Sequence, residues 1–182
     1  MAKRDKKTIT LGSGKIYIKE YENDTMPTFE DLCKEENILG YIKGGAALEY
    51  SQETYEEEDD LGLVSKIIVT SEEALLKCGI LTWNGTTLQY LVDRCSTTEA
   101  NGKRTTLIGG AGNAQGKDWV ICFAHEDKKD GNLWLLLRGK NTGGITLTFA
   151  TDAGTVVEPE FKAMPHDDKG TLIELIEEIP AA

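Results

Sequence analysis

Two histidines, four cysteines, one glycine-rich octapeptide and 31 carboxylates are the groups from which any chemistry in this 182-residue chain would have to be built. Neither His125 nor His166 has a second ligand at metal-binding spacing, so neither a zinc site nor a Ser-His-Asp triad is expected. The stretch Gly110-Ala111-Gly112-Asn113-Ala114-Gln115-Gly116-Lys117 superficially looks like a phosphate loop. Its glycines are spaced one residue too long for dinucleotide binding. Ala111 and Asp118 stand where a P-loop needs glycine and a hydroxyl side chain, so the stretch reads as a strand connection. Paired carboxylates can hydrolyse glycosides, but among 31 acids some approach one another by chance. Cys33, Cys78, Cys95 and Cys122 contain no C-x-x-C pair and read as small hydrophobic residues in a reducing compartment. The sequence therefore assigns no catalytic, cofactor-binding or metal-binding residue, and no enzyme activity is expected.

The elements that carry these groups are mostly strands. Residues 8–21 read as a first strand region, in which Ile16 and Ile18 face one way and Tyr17 and Lys19 the other. Residues 22–37 are polar and turn-rich, with one helical turn expected over residues 29–33 behind Thr28 as cap. Gly44-Gly45 introduces a long hairpin over residues 46–70. Ala46, Leu48 and Tyr50 lie on one face of its first strand, with Ala47, Glu49, Ser51 and Glu53 opposite. On the return strand Leu63, Ser65, Ile67 and Val69 oppose Lys66, Ile68 and Thr70. The run Glu56-Glu57-Glu58-Asp59-Asp60 between them cannot pack in a core and must project.

Ser71-Glu72-Glu73 suits a helix start and Gly79 a helix end, so a short helix is expected there. Leu88, Leu91, Val92 and Cys95 form the stripe of the main amphipathic helix, which should lie across a sheet. Residues 105–108, 119–124 and 133–137 are strand-like, with Asp130-Gly131 as a hairpin turn. A closing hairpin is expected over residues 145–163. There Ile145, Leu147, Phe149, Val157, Phe161 and Ala163 face a core while Glu158, Glu160 and Lys162 face away. Residues 172–179 fit helical spacing too, but read as a terminal strand.

The chain fits a single domain. No apolar run approaches the roughly 18 residues of a membrane span, and no apolar signal region opens the chain, so a cytosolic site of synthesis without membrane insertion is expected. Net charge is −11, divided between +3 on residues 1–7 and −14 on residues 8–182. That balance is the reverse of a nucleic-acid binder's. Lys3, Arg4, Lys6 and Lys7 read as a basic flexible arm.

One set of features occurs in order. Gly12-Ser13-Gly14 precedes Lys15-Ile16-Tyr17-Ile18, and Gly44-Gly45-Ala46 opens the long hairpin. The segment Ser71-Glu72-Glu73-Ala74-Leu75-Leu76 runs to Trp83, one amphipathic helix follows, and Phe161-Lys162-Ala163-Met164-Pro165 leads to Gly170-Thr171-Leu172. Over nearly its whole length the chain resembles the major tail tube proteins of long-tailed, siphophage-type bacteriophages. The resemblance rests on order and spacing, since no single motif is specific. It implies a mainly β, sandwich- or barrel-like tail tube fold with one main helix and a long hairpin loop.

It further implies sixfold rings stacked into a virion tube, assembled in the host cytoplasm, that delivers double-stranded DNA without binding it stably. In the family, two hairpins per subunit line the channel, and other tail proteins close the tube ends. On that basis Glu49, Glu53, Lys66, Glu158, Glu160 and Lys162 are channel candidates. Glu56, Glu57, Glu58, Asp59 and Asp60 are inter-ring candidates, meeting Lys3, Arg4, Lys6 and Lys7 of a neighbour. Two alternatives remain. One is the inner tube of a contractile tail or secretion-type injection device. The other is a monomeric β-sandwich that binds carbohydrate or a host surface through Trp83, Trp119 or Trp134.

Overall fold

Alternation along the strands sorts the apolar side chains to two sides of one sheet, and that sorting organises the molecule. A computed structural model describes residues 13–127 and 131–179. Nine strands occur among them: β1 (Lys15–Glu20), β2 (Ile38–Glu58), β3 (Ser65–Ile80), β4 (Cys95–Ala100), β5 (Lys103–Ile108), β6 (Trp119–His125), β7 (Leu133–Asn141), β8 (Glu160–Met164) and β9 (Glu174–Glu177). Antiparallel pairing runs β6-β1-β2-β3-β8-β7, and β7 pairs again with β6, so six strands close on themselves. Closure removes most free edges inside the ring. β9 adds to β7 beside β8, and β4 and β5 form a separate two-stranded hairpin. The chain is mainly β and its sheets are antiparallel.

Ile16 and Ile18 of β1, Ala74, Leu76, Cys78 and Ile80 of β3, Trp119 and Ile121 of β6, Leu135 and Leu137 of β7, and Phe161 and Ala163 of β8 form the cluster inside the ring. Alternate residues on the same strands point outward. Tyr17, Val120, Cys122, Ala124 and Leu136 form a second, outer cluster with Leu32. That outer cluster is covered by the short helix α1 (Phe29–Leu32), whose Thr28 cap accepts the Asp31 backbone N–H and whose Phe29 ring lies 4.3 Å from that of Trp134. The expected one-turn helix is therefore present.

Helix α2 (Gly85–Leu91) is capped by Asn84, whose side chain accepts the N–H groups of Thr86 and Thr87. Leu88 and Leu91 pack into the inner cluster. The helix is shorter than the stripe suggested. Val92 is already extended, and Cys95 is buried as the first residue of β4.

Two expectations are overturned. Residues 71–80 are strand, not helix: Ala74, Leu76, Cys78 and Ile80 are buried at period two, and Leu76 pairs with Leu48 and with Phe161. A short isolated helix is marginal, and two flanking partner strands outweigh good end residues. Nor does a hairpin form over residues 145–163, because residues 142–159 contain no strand. β8 takes the place between β3 and β7, and among the described residues of the excursion only Val157 bridges to a strand, at Ile80. The excursion is fixed by other bonds. Asn141 donates to the carbonyls of Leu91 and Gly144 and accepts from the N–H of Glu160, while Trp83 donates to the Thr155 carbonyl. Ile145 and Leu147 pack on the core, Val157 and Phe161 are fully buried, but Phe149 is 78% exposed. The terminal strand is present as β9.

One polar cluster ties the start of β6 to β7. Arg138 donates to Asp118 at 2.5 Å and to the Pro165 carbonyl at 3.1 Å, and its guanidinium lies 4.2 Å from the Tyr21 ring centre. Lys140 reaches the other Asp118 oxygen at 3.2 Å. Partial burial works against the Asp118 charge, yet the hydrogen bonds from Arg138 and Lys140 outweigh it and hold the carboxyl below its ordinary range.

Candidate functional site

The ring does not use all of β2 and β3. β1 pairs with β2 only through Ile38, Gly40 and Tyr41, and β8 pairs with β3 only from Leu75 to Lys77. Beyond those contacts the two strands pair with each other alone, down to Glu58 opposite Ser65. The last eight residues of β2, from Ser51 to Glu58, carry this two-stranded ribbon about 25 Å further. Among the described residues, neither outer edge of the ribbon has a partner strand.

A bulge marks the middle of the ribbon. Glu53 pairs with Ser71 and Thr54 with Val69, leaving Thr70 as the extra residue. Thr70 donates its hydroxyl to the Glu53 carbonyl and Ser71 to the Glu53 carboxylate. Bulges bend and twist a strand pair, so the ribbon's outer half is set at an angle to its base.

Alternation along β2 puts Glu49, Glu53, Tyr55 and Glu57 on the face that points out of the ring, with Lys66, Ile68, Glu73 and Lys77 beside them on β3. The register of β8 adds Glu160 opposite Lys77 and Lys162 opposite Leu75. Five of the six predicted channel residues, Glu49, Glu53, Lys66, Glu160 and Lys162, therefore share one face. The sixth, Glu158, lies outside the strands, in the 142–159 excursion. Lys77 joins Glu49 at 2.9 Å and Glu160 at 3.6 Å, and Lys162 pairs with Glu73. The hydrogen bond that Lys77 donates to Glu49 is the largest cause holding the Lys77 ammonium above its usual pKa. Such exposed pairs arrange charge more than they stabilise. Lys77 and Glu73 were missed in the sequence because they were read as helical. The strict alternation of Ala74, Leu76, Cys78 and Ile80 was the signal that places them on a strand.

The opposite face of the ribbon is no drier. Ile67 (59% exposed) and Val69 lie there, just as Tyr55 and Ile68 lie exposed on the first face. Apolar side chains thus occupy both faces of a ribbon with two open edges.

The acidic tip is not one block. Glu56, Glu57 and Glu58 alternate across β2, whereas Asp59 is built into the turn. Its carboxylate accepts the N–H groups of Leu63 and Val64 at 2.6 and 2.7 Å, and the bond from Val64 is the largest cause holding its pKa below the ordinary value. Asp60 is exposed. Lys3, Arg4, Lys6 and Lys7 lie outside the described residues, as does Asp130 of the expected β6–β7 turn.

The other candidate groups serve the fold. His125 is buried, its Nδ1 2.8 Å from the Ser13 carbonyl. Gln115 of the glycine-rich stretch donates to the carbonyls of Gln89 and Val92, fixing the connection to the end of α2. No group of three metal-binding side chains occurs among the described residues. The three tryptophans sit in different settings: Trp119 is in the inner cluster against Tyr90, Trp134 is against Phe29 in the outer cluster, and Trp83 is bonded to Thr155. No helix among the described residues is long and apolar enough to cross a membrane. Comparison with protein-family models and with curated proteins finds no match to the chain.

Proposed function

We propose that this chain is the structural subunit of a bacteriophage tail tube, of the long-tailed siphophage type, forming hexameric rings that stack into a channel for double-stranded DNA. The observation that carries the reading is the β2–β3 ribbon, which leaves a ring already closed on itself with both edges unpaired among the described residues and apolar residues on both faces. A lone two-stranded ribbon is marginal in water, and open edges are templates for further strands. Neighbouring ribbons, paired edge to edge around a ring, supply what one subunit lacks. The departure of residues 145–163 from a hairpin means that each subunit contributes this ribbon rather than two hairpins of the predicted kind.

The face bearing Glu49, Glu53, Glu57, Glu73 and Glu160 against Lys66, Lys77 and Lys162 has more carboxylates than ammonium groups. DNA carries about one negative charge per 1.7 Å of axis, and a wall of this kind gains nothing from counterion release, so DNA slides past it. Assembly takes place in the host cytoplasm, and the tube ends meet other tail proteins. Electron microscopy of concentrated purified protein tests the class. Rings or hollow tubes are expected; a monomer that persists at high concentration overturns the reading. In assembled phage, Glu53→Lys with Glu160→Lys should leave tubes intact and slow DNA ejection.

A further inference from the structure

Two of the four cysteines fit the description of small hydrophobic residues: Cys78 and Cys95 are buried without a sulfur partner. Cys33 and Cys122 do not. Their sulfurs lie 3.6 Å apart although the residues are 89 positions apart in the chain. They come from different elements, Cys33 as the C-terminal cap of α1 and Cys122 from the outward face of β6. Cys122 is fully buried in the outer cluster, whereas Cys33 is half-buried at its margin.

We propose that Cys33 and Cys122 are a redox-active pair that closes to an intramolecular disulfide, stapling the α1 cap to the barrel wall. A disulfide places its sulfurs about 2.05 Å apart, so closure needs a movement of roughly 1.5 Å. The four-residue helix and the turn after it can supply that movement more easily than β6, which is paired on both sides.

The division of labour follows from the setting. The hydrogen bond from Cys122 lowers the pKa of the Cys33 thiol against the opposing effect of burial, while that bond and burial push the Cys122 thiol up. Cys33 is half-buried where Cys122 is fully buried, so it is the sulfur that a small-molecule disulfide reaches first and the one that attacks. It displaces one thiolate from a small-molecule disulfide, breaking that S–S bond and forming a mixed disulfide. The Cys122 sulfur, giving up its proton, then attacks the Cys33 sulfur and expels the second thiolate. The two protein thiols are oxidised, the reagent disulfide is reduced to two thiols, and the two protons leave with them. The inference does not depend on tube assembly, and it is read on the isolated chain.

The test is incubation of reduced, purified protein with oxidised glutathione, followed by thiol titration in denaturant, peptide mapping and thermal unfolding. Titratable thiols should fall from four to two per chain. The mapped link should join Cys33 to Cys122, and Tm should rise by about 5 °C or more over the reduced protein. Cys33→Ser should leave the reduced-state Tm close to that of wild type and abolish the oxidant-dependent rise. Four thiols surviving the oxidant, a mixed disulfide persisting on Cys33, or links between chains in place of the internal one would each overturn the proposal.

Discussion

Strands β2 and β3 pass through two settings. At the base, Leu76 is 1% exposed and pairs with Leu48, while β1 and β8 lie against the outer edges. Farther out the same two strands remain paired, yet Tyr55, Ile67, Ile68 and Val69 are about half exposed and no described strand lies beyond either edge. The two strands stay paired through both regions, interrupted in the ribbon only by the bulge at Thr70. What changes is the second layer. The base gains its stability from a filled interior, and the ribbon has no interior of its own. Strand pairing alone does not make a core, and the exposed Tyr55, Ile67, Ile68 and Val69 are what the proposed ring assembly would cover.

The sharpest way to break this contrast is to damage each region separately. Phe161→Ala removes a fully buried ring from the interior and should cost about 3–5 kcal/mol in denaturant unfolding of the isolated chain. A loss below 1 kcal/mol would mean that the interior is not the source of stability.

Arg138→Met, at the barrel's polar cluster, should cost less, about 1–2 kcal/mol, because the half-buried ion pair, the Pro165 bond and the Tyr21 contact are lost together. The pH dependence has a fixed sign. Asp118 titrates below its ordinary value of 3.8, so its contribution is present above that pH and disappears as the pH falls through the lower folded value. Asp118→Asn should flatten that acid limb of the stability profile.

In the ribbon the order of effects reverses. Tyr55→Ser with Ile68→Thr should change unfolding of the monomer by no more than about 0.5 kcal/mol and yet abolish rings in electron micrographs. A variant that unfolds easily but still forms rings would erase the distinction between the two regions. The smallest effect is expected at the tip. Asp59→Ala should leave global unfolding unchanged and speed hydrogen exchange at the Leu63 and Val64 amides, which Asp59 now holds. In the wild-type chain the same amides should lose protection only when the pH falls below the ordinary carboxylate value, since that group is held acidic.

Local pattern alone determined much of this protein. The strand-like runs of β1, β5, β6 and β7, the Thr28 cap, the Leu88–Leu91 part of the α2 stripe, the long hairpin and its projecting acidic tip were all legible, because each depends on neighbours a few residues away. The split of Phe161 and Ala163 from Glu160 and Lys162 was legible for the same reason.

Tertiary structure decided the rest. Residues 71–80 carry helix-like ends and a strand-like middle, and only pairing with β2 and β8 selects the strand. Residues 145–149 alternate as well as any strand in the chain, yet β8 takes the place between β3 and β7 and they pair with none of the described strands. The closure of β6 onto β7, the meeting of Glu49, Glu53, Lys66, Glu160 and Lys162 on one face, and the approach of Cys33 to Cys122 join residues far apart in sequence. Periodicity tells which side of a strand a residue faces. Which strand lies next to it is set by competition among all the edges of the sheet, and that competition is a property of the whole fold.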